Sequence, residues 1–392
     1  MPRHQDRHRF RASATTPHGA LTVALARTAV VILLVLLMGA CSLFSIFRDY
    51  SLSYATAEEV PADRALGVVW EEVDGNPRLP LSDCPSWDCL GHTDPWVGPG
   101  PDGELAAWFS AGGDQDGPVV GRATVGVDLS LTPDREENPV LSVLDSGWDR
   151  KRETVFLHFD VAASRWIMWY LGYSKSFFDD PAIGQMRSTG EAGLEWKRSP
   201  APIYRPDPDG WDRAFVSGPT FLEVPAGEAD AGQWRVYYSG AGTTVGIGLL
   251  ASDDQGDNWT AHPDNPVFEG EPGSWDEGIL ELSVRYVNGE YLMWYSGYEE
   301  PLDLEETPIY IGLARSEDGV TWTRSEYNPV LGPAELGSWN DLRVVSPHVI
   351  VEDEGSLLLF AHAQSRQNVG SAPGGRPALG RLGVWRSPLP GR

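Results

Sequence analysis

A Trp-Asp pair recurs along the chain at a nearly constant interval. Its five copies are separated by 61, 63, 64 and 64 residues, and the last copy has Asn in place of Asp. A fixed period of this length indicates a repeat architecture, in which no unit can bury its faces alone. We therefore expect one folded body, although 392 residues would ordinarily suggest more than one domain. The copies begin at Trp87, Trp148, Trp211, Trp275 and Trp339.

Each unit carries two further landmarks. An aromatic run that ends in a small residue, such as LMWYSGY from Leu292, appears five times, and an Asn-Pro pair or its counterpart follows later in the unit. Aromatic and β-branched runs separated by Gly, Asp, Asn and Pro are typical of short strands joined by turns. Radially arranged four-stranded sheets form a β-propeller. The sequence thus predicts an all-β fold, a five-bladed β-propeller with four antiparallel strands in each blade.

The two ends of the chain are expected to meet in the fifth blade. The last unit stops after LGVWRS, at residues 382–387, and lacks an outer strand. Trp70 precedes Asn76 by the same interval at which Trp322 precedes Asn328. An N-terminal strand near Trp70 therefore supplies the missing piece, which removes an open sheet edge.

The N-terminus resembles an export signal. Residues 1–40 carry several arginines before an apolar run that is short for a membrane span. The run ends in LLMGAC, which resembles a bacterial lipoprotein processing site with lipidation at Cys41. An uncleaved membrane anchor is the alternative. We expect residues 41–65 to be a tether and 66–392 the propeller, and Ser42 after the cysteine favours the outer membrane.

Cysteine content and charge limit the partners. Cys84 and Cys89 form an even pair in an exported chain, which favours a disulfide over a metal site. The formal net charge is −26. This excludes nucleic acid and anionic membrane surfaces as ligands and leaves the lipid as the only contact with the membrane. We expect a monomer.

Carboxylates occupy the predicted innermost strands. Asp94 and Glu281 stand at matching positions of the first and fourth blades, and Glu153 lies nearby on the second. Glycosidic bond cleavage requires two acids at one site, one to protonate the leaving oxygen and one to attack or to activate water. Structural alternatives exist for two of them: Asp94 could cap a turn, and Glu153 could be a solvated strand end.

The residues HTDPW from His92 and LELSV from Leu280 resemble the five-bladed glycoside hydrolases of families 43 and 32. The resemblance spans residues 70–387. It implies that Asp94 is the base or nucleophile and that Glu281 is the general acid. The family also has an Asp before Pro that tunes this acid, and here Gly218 occupies that place. Either Glu153 has taken over the tuning role or the site is weak or inactive.

Three further residues are candidates for substrate contact. SPHVI from Ser346 resembles the family's channel-histidine strand, so His348 is expected to face the axis. In relatives this position helps to hold a metal, but a single histidine is more often a packing residue, and we expect no cofactor, with an axial calcium ion as the alternative. Trp96, two residues from Asp94, and Tyr298 could stack on sugar rings.

Two functions follow from these patterns. The first is a surface lipoprotein that cleaves glycosidic bonds in oligo- or polysaccharides with an acid/base carboxylate pair. The second is a carbohydrate-binding or scaffolding lipoprotein that has kept the propeller and lost catalysis, for which Gly218 is the main argument. The fold alone does not decide between them.

Overall fold

The chain from residue 54 onward is a ring of five β-sheets. The computed structural model describes residues 52–392 except 114–115, 135–136, 177, 179, 304, 368–379 and 389–392. Every regular element in this described part is a β-strand, and Tyr54–Arg392 forms one compact unit. The predicted five-bladed, all-β propeller is confirmed. The signal segment and Cys41 lie outside the described residues.

The strands follow the blades in chain order. Blade one contains β2 (Gly91–Pro99), β3 (Leu105–Gly112), β4 (Val119–Val125) and β5 (Leu131–Pro133). Blade two contains β6 (Lys151–Asp160), β7 (Arg165–Tyr173), β8 (Ala182–Ser188) and β9 (Trp196–Arg198). Blade three contains β10 (Phe215–Glu223), β11 (Trp234–Ala241), β12 (Val245–Ser252), β13 (Thr260–Ala261) and β14 (Phe268–Glu269).

The last two blades complete the ring. Blade four contains β15 (Gly278–Val287), β16 (Glu290–Tyr298), β17 (Tyr310–Ser316) and β18 (Thr323–Arg324). Blade five contains β19 (Arg343–Val351), β20 (Leu357–Gln364), β21 (Arg381–Ser387) and the N-terminal β1 (Glu71–Glu72). The first strands β2, β6, β10, β15 and β19 contact one another in a closed circle around the axis.

Strand β1 closes the ring as the sequence predicts. It pairs antiparallel with β21, with Glu71 opposite Arg386 and Glu72 opposite Trp385. The side chain of Asn76 extends this pairing, because its Nδ2 donates to the Val384 carbonyl at 2.9 Å and its Oδ1 accepts from the Val384 amide at 3.0 Å. The outer edge of blade five is thus covered by the start of the chain.

The Trp-Asp pairs are structural. In blades two, three and four the Asp is buried and accepts a hydrogen bond from the tyrosine hydroxyl of the aromatic strand. The Trp lies nearly parallel to the same tyrosine ring in blades two and four, with centroids 6.0 Å apart. The bonds are Tyr170 to Asp149 at 2.9 Å, Tyr238 to Asp212 at 3.0 Å and Tyr295 to Asp276 at 2.8 Å.

All five innermost strands carry a β-bulge at the same place. In each, two residues stand opposite one on the neighbouring strand. Three of the bulges contain a proline, which a strand tolerates where no ladder hydrogen bond is needed. The bulged pairs are Asp94-Pro95, Thr154-Val155, Gly218-Pro219, Leu280-Glu281 and Ser346-Pro347.

The segment before β1 packs on the propeller. Tyr54 donates its hydroxyl to the Pro333 carbonyl at 3.1 Å, and Val60 is buried in a cluster with residues of blades four and five. Residues 54–65, which the sequence places in a tether, therefore belong to the folded unit. Cys84 and Cys89 form a disulfide bond. Within the described residues, no helix is long and apolar enough to cross a bilayer.

We predict that Asp276→Ala strongly destabilises the protein. Asp276 is 1 % exposed and accepts from both the Tyr295 hydroxyl and Arg324 Nε at 2.8 Å. Removing one side of such a buried pair typically costs about 3 kcal/mol. The measurement is the urea midpoint followed by tryptophan fluorescence. Asp257→Ala, which breaks the exposed pair with Arg187, is the control and should cost less than about 1 kcal/mol. Equal midpoint shifts for the two variants would refute the structural role of the Asp.

Candidate active site

Carboxylates from three blades converge at one end of the axis. Asp94 and Glu281 lie in the bulges of β2 and β15, and Glu153 directly precedes the bulge of β6. All three side chains are half-buried. The bulge residues of the five blades line a common cavity, called here the acid pocket, to which Asp94, Thr154, Gly218, Glu281 and Ser346 contribute.

Ser346 links the two principal acids. Its Oγ lies 2.7 Å from Asp94 Oδ1 and 3.4 Å from Glu281 Oε2. The hydroxyl has a single hydrogen, and the shorter contact directs it to Asp94. Because both contacts end on one atom, the two carboxylate oxygens are within about 6 Å of each other, below the roughly 6.5 to 9.5 Å typical of inverting glycosidases.

The environment of Glu281 keeps it protonated to near neutral pH. Burial is the main cause, and the negative charge of Asp94 adds to it, so that the pKa of Glu281 rises from 4.5 to about 7. The contact between Glu281 Oε1 and Ser217 Oγ at 3.3 Å acts in the opposite direction. A carboxyl group with a pKa near 7 suits a general acid.

Glu153 is a third carboxyl group with a raised pKa. Burial, followed by the charge of Asp94, raises the pKa of Glu153 from 4.5 to about 8, and the charge of Glu281 adds a smaller effect. Tyr173 donates its hydroxyl to Glu153 Oε1 at 2.7 Å and partly offsets this rise. Glu153 therefore belongs to the acid cluster and is not a solvated strand end.

His362, on strand β20 of blade five, supports Asp94 on the innermost strand of blade one. The Asp94 amide donates to His362 Nδ1 at 3.3 Å, and Asp94 Oδ1 lies 3.7 Å from the same nitrogen. Burial lowers the pKa of His362 to about 4. The imidazole is therefore neutral at physiological pH, with Nδ1 available as the acceptor.

Gly218 lies tightly against Glu281 at the position where the family resemblance implies a carboxylate. A Cβ on Gly218 would lie 3.0 Å from Glu281 Cγ and 3.1 Å from Glu281 Cα. Its φ of 55° does not itself demand glycine, because Asp94 and Ser346 have φ values of 50° and 56° in their own bulges. The close approach of Glu281 therefore favours glycine, and a residue with a Cβ would require Glu281 to shift by a few tenths of an ångström.

The acid pocket is narrow. Its volume is about 30 Å³, the share of about one water molecule. A larger groove of about 640 Å³ lies at the outer edge of blade four, but its arginines Arg315 and Arg324 are paired with Glu290 and Asp276. Glu281, whose pKa is raised, lines the acid pocket, and Glu153 directly precedes Thr154 of its lining, so we assign the chemistry there.

The aromatic residues expected to contact substrate are buried. Trp96 is 5 % exposed and packs edge-on against Trp166 in the core. Tyr298 is 6 % exposed, and its hydroxyl donates to Glu300 at 3.0 Å. Neither ring presents an open face on which a sugar could stack, so both expectations are corrected in favour of packing.

His348 reaches the axis but is not a suitable calcium ligand. It is buried, with Nε2 2.7 Å from the Val97 carbonyl and 3.1 Å from Arg285 Nη2. Calcium prefers oxygen ligands, and a guanidinium beside the ring opposes any cation. In the described part of the chain no group of three or more His, Cys, Asp or Glu residues could hold a metal ion.

Sequence reasoning missed four residues that the structure adds to the site. Ser217, Ser346 and His362 contact Glu281 or Asp94, and Tyr173 contacts Glu153. The signal for His362 was available, because it stands in the fifth copy of the aromatic run where three of the other four copies have Ser. Ser346 was also aligned with Asp94 and Gly218 before a proline.

Comparison with known proteins identifies which solved structures share this fold. No family model matches the chain, and no curated protein matches it. A solved structure described as a glycoside hydrolase is 20 % identical with a TM-score of 0.61, over 76 % of this chain and 87 % of its own. The chain has the fold of glycoside hydrolase-like propellers. At this identity the similarity establishes the fold and not the reaction.

Two further neighbours show the range of proteins that share this fold. One is described as a complex of BT0996 and RGII and is 20 % identical with a TM-score of 0.64, over 83 % of this chain and 94 % of its own. Another is an N-acetylgalactosamine deacetylase from F. plautii in complex with blood group B trisaccharide. It is 14 % identical with a TM-score of 0.58, over 82 % of this chain and 95 % of its own.

We predict that Glu153→Gln stabilises the protein at alkaline pH. A carboxyl group whose pKa is raised in the folded state contributes stability at low pH and loses it as pH rises from 4.5 through about 8. Glutamine cannot ionise. The variant should therefore match the wild type at pH 5 and exceed it at pH 9 by on the order of 2 kcal/mol, after allowance for partial solvent screening.

Urea unfolding at the two pH values measures this difference. Glu223→Gln, at the exposed far end of β10, is the matched control and should follow the wild type at both pH values. A Glu153→Gln curve that remains parallel to the wild-type curve from pH 5 to 9 would show that Glu153 is not in an environment that raises its pKa.

Proposed function

We propose that the protein is a glycosidase that uses Glu281 as the general acid and Asp94 as the nucleophile or base. The observation that carries this proposal is the shared contact of both carboxylates with Ser346 together with the raised pKa of Glu281. Two carboxyl groups held in one site, one of which keeps its proton to near neutral pH, are the arrangement that glycosidic cleavage needs. The fold of the solved glycoside hydrolase is consistent with it.

The surroundings of the two acids support these roles. Up to near neutral pH Glu281 keeps a proton that it can transfer to the leaving oxygen, because burial and the charge of Asp94 oppose its ionisation. Asp94 accepts the Ser346 hydroxyl at 2.7 Å and the Thr93 hydroxyl at 3.0 Å, and these bonds fix the orientation of its carboxylate. Asp94 is then available to attack the sugar or to stabilise positive charge on it.

The absence of an Asp at Gly218 does not remove the means of tuning the acid. Burial and the charge of Asp94 already raise the pKa of Glu281. Glu153 provides a third carboxyl group from blade two, oriented by Tyr173. We assign Glu153 as a positioning residue of the acid cluster, which comes from a different blade than the missing group.

Carbohydrate binding without catalysis is the second candidate. The acid pocket, at about 30 Å³, is far smaller than the roughly 300 to 1,000 Å³ of typical ligand sites. A sugar ring must therefore lie above the acids at the end of the axis, or the bulges must move apart. The descriptions of two neighbours name RGII and a trisaccharide, and these support carbohydrate as the partner for either candidate.

We predict that Glu281→Gln loses activity in proportion to the need for a proton. On substrates with a sugar leaving group, kcat/KM should fall by about 10² to 10⁴. On a dinitrophenyl glycoside of the same sugar, whose leaving group needs no proton, the loss should be small. Asp94→Asn should abolish both reactions. Steady-state kinetics on arabinosides, xylosides, fructosides and mannosides measures these effects.

Controls separate the two candidates. Glu223→Gln, on the far end of an inner strand, should leave kcat/KM unchanged. Equal losses of Glu281→Gln on both leaving groups would remove it from the acid role. A wild-type protein that binds oligosaccharides and cleaves none of the panel would support the binding candidate.

We also propose that the protein is exported and lipid-anchored, with the bacterial outer membrane as its location. The LLMGAC sequence supports lipidation at Cys41, and the disulfide between Cys84 and Cys89 is typical of an oxidising compartment. We predict that Cys41→Ser abolishes the incorporation of labelled fatty acid and releases the protein from the membrane fraction. Retention of the label in this variant would contradict the assignment.

A further inference from the structure

One hydroxyl group at the acid pocket has no hydrogen-bond partner. Thr154 is 6 % exposed, and among the described residues nothing bonds to its buried Oγ1. Thr154 also belongs to the lining of the acid pocket, together with Asp94 and Glu281. A buried hydroxyl that makes no hydrogen bond destabilises the folded protein, so its presence at the site needs an explanation.

Thr154 has the same backbone position as two residues whose side chains meet at the pocket. Asp94, Thr154 and Ser346 stand at the same place in their bulges, with φ values of 50°, 48° and 56°. A positive φ is unusual for a β-branched residue and costs energy. The position is held firmly, since the Thr154 amide donates to Ser110 Oγ at 3.0 Å. By this equivalence the Thr154 side chain points to the pocket where Ser346 bonds to Asp94.

The neighbours of Thr154 around the ring account for its unpaired hydroxyl. Strand β19, which carries Ser346, contacts β15 and β2, and both of these supply a carboxylate to Ser346. Strand β6 contacts β2 and β10, and β10 has Gly218 at the matching bulge. Blade three thus offers Thr154 no side chain at that position. On the other side both carboxylate oxygens of Asp94 already accept hydroxyl groups, from Ser346 and Thr93.

The size of the acid pocket limits what can reach this hydroxyl. Its volume of about 30 Å³ accepts a group the size of one water molecule and not a sugar ring. A ring held above the acids can place one of its own hydroxyl groups in this space. A hydroxyl both donates and accepts hydrogen bonds, so it can pair with Thr154 and with a carboxylate at the same time.

We propose that Thr154 Oγ1 binds one ring hydroxyl of the sugar on which Asp94 acts and thereby selects the substrate. The assignment rests on the proposed function, because Asp94 must then stand beside the reacting carbon of the same sugar. The ligand class is a glycoside whose sugar carries a free hydroxyl close to the scissile bond. A sugar without this hydroxyl leaves Thr154 unpaired in the complex, and the unpaired buried group is what disfavours that sugar.

Monodeoxy substrates test this contact. The parent substrate is the aryl glycoside that the wild type cleaves best among arabinosides, xylosides, fructosides and mannosides, and each analogue lacks one ring hydroxyl. Thr154→Val removes the hydroxyl group and keeps the shape of the side chain. On the parent, kcat/KM should fall by about three- to tenfold, as expected for one neutral hydrogen bond. On one analogue the variant should match the wild type, because the bond is already absent there.

Each kinetic outcome decides the proposal. Thr154→Ser keeps a hydroxyl group and should retain the wild-type preference for the parent over that analogue. A Thr154→Val loss that is equal on the parent and on every analogue overturns the proposal, since a structural change acts on all substrates alike. The absence of any loss on the parent overturns it as well.

Unfolding of the free protein gives a test that does not depend on activity. Thr154→Val should leave the urea midpoint unchanged or raise it, because the deleted hydroxyl has no hydrogen bond to lose. Thr220→Val is the matched contrast and should lower the midpoint. Thr220 lines the same pocket, is 3 % exposed, and donates its Oγ1 to the Leu282 carbonyl at 2.6 Å. A similar fall in Thr154→Val would reveal a structural partner for its hydroxyl and overturn the proposal.

Binding replaces kinetics if the wild type cleaves nothing. Calorimetric titration with arabino-, xylo-, fructo- and manno-oligosaccharides should then detect one ligand whose Kd rises by about three- to tenfold in Thr154→Val and recovers in Thr154→Ser. In that case the glycosidase proposal fails and the contact of Thr154 with a sugar hydroxyl stands. Equal affinities of wild type and Thr154→Val, or no binding of any of these oligosaccharides, overturn the contact itself.

Discussion

In blades one, two and five, the bulge of the innermost strand is held in place by a side chain of the preceding blade, and the site depends on this contact. The Thr154 amide donates to Ser110 Oγ at 3.0 Å, the Ser346 amide to Ser296 Oγ at 2.9 Å, and the Asp94 amide to His362 Nδ1 at 3.3 Å. In each case the acceptor belongs to the second strand of the preceding blade, with blade five preceding blade one around the ring. A bulge leaves an amide without a ladder partner, and an unpaired buried amide is costly. The neighbouring side chain satisfies that amide, so the geometry of these positions is set by two blades together.

The acid pocket, together with Glu153 beside it, brings three carboxyl groups close together in a chain that is already strongly acidic. Asp94, Glu153 and Glu281 meet with no arginine or lysine bonded to any of them among the described residues, and the neighbouring groups are hydroxyls and a neutral imidazole. Burial, with the charge of Asp94 as a second cause, raises the pKa of Glu153 and of Glu281, so that both hold protons to higher pH. Burial and repulsion together thereby give a carboxyl group whose acidity suits neutral pH.

The sequence predicted the architecture better than the surroundings of the site. The period of the Trp-Asp pair determined the number of blades, and the short last unit predicted the closure by β1. Alignment of the inner strands brought Asp94 and Glu281 to one axis. The prediction for Trp96 was wrong because strand alternation was assumed across Asp94-Pro95, where the bulge inserts a residue and reverses the face. The position of Ser346 could be aligned in the sequence, but its contacts with both acids, and the contact of Tyr173 with Glu153, become visible only when the blades are brought together in the fold.

The pairing of β1 with β21 joins residues from opposite ends of the chain, with Glu71 opposite Arg386. The other pairings within the five sheets join strands that are close in sequence. Bringing such distant segments together carries the largest loop entropy in the molecule. Blade assembly can therefore begin anywhere along the chain, but the circle is completed only after the last strand has been synthesised. A chain truncated before β21 can still form the first four sheets, but β1 has no strand with which to pair and the ring does not close. Blade five is then incomplete, and His362 on β20 no longer has a stable sheet from which to contact Asp94.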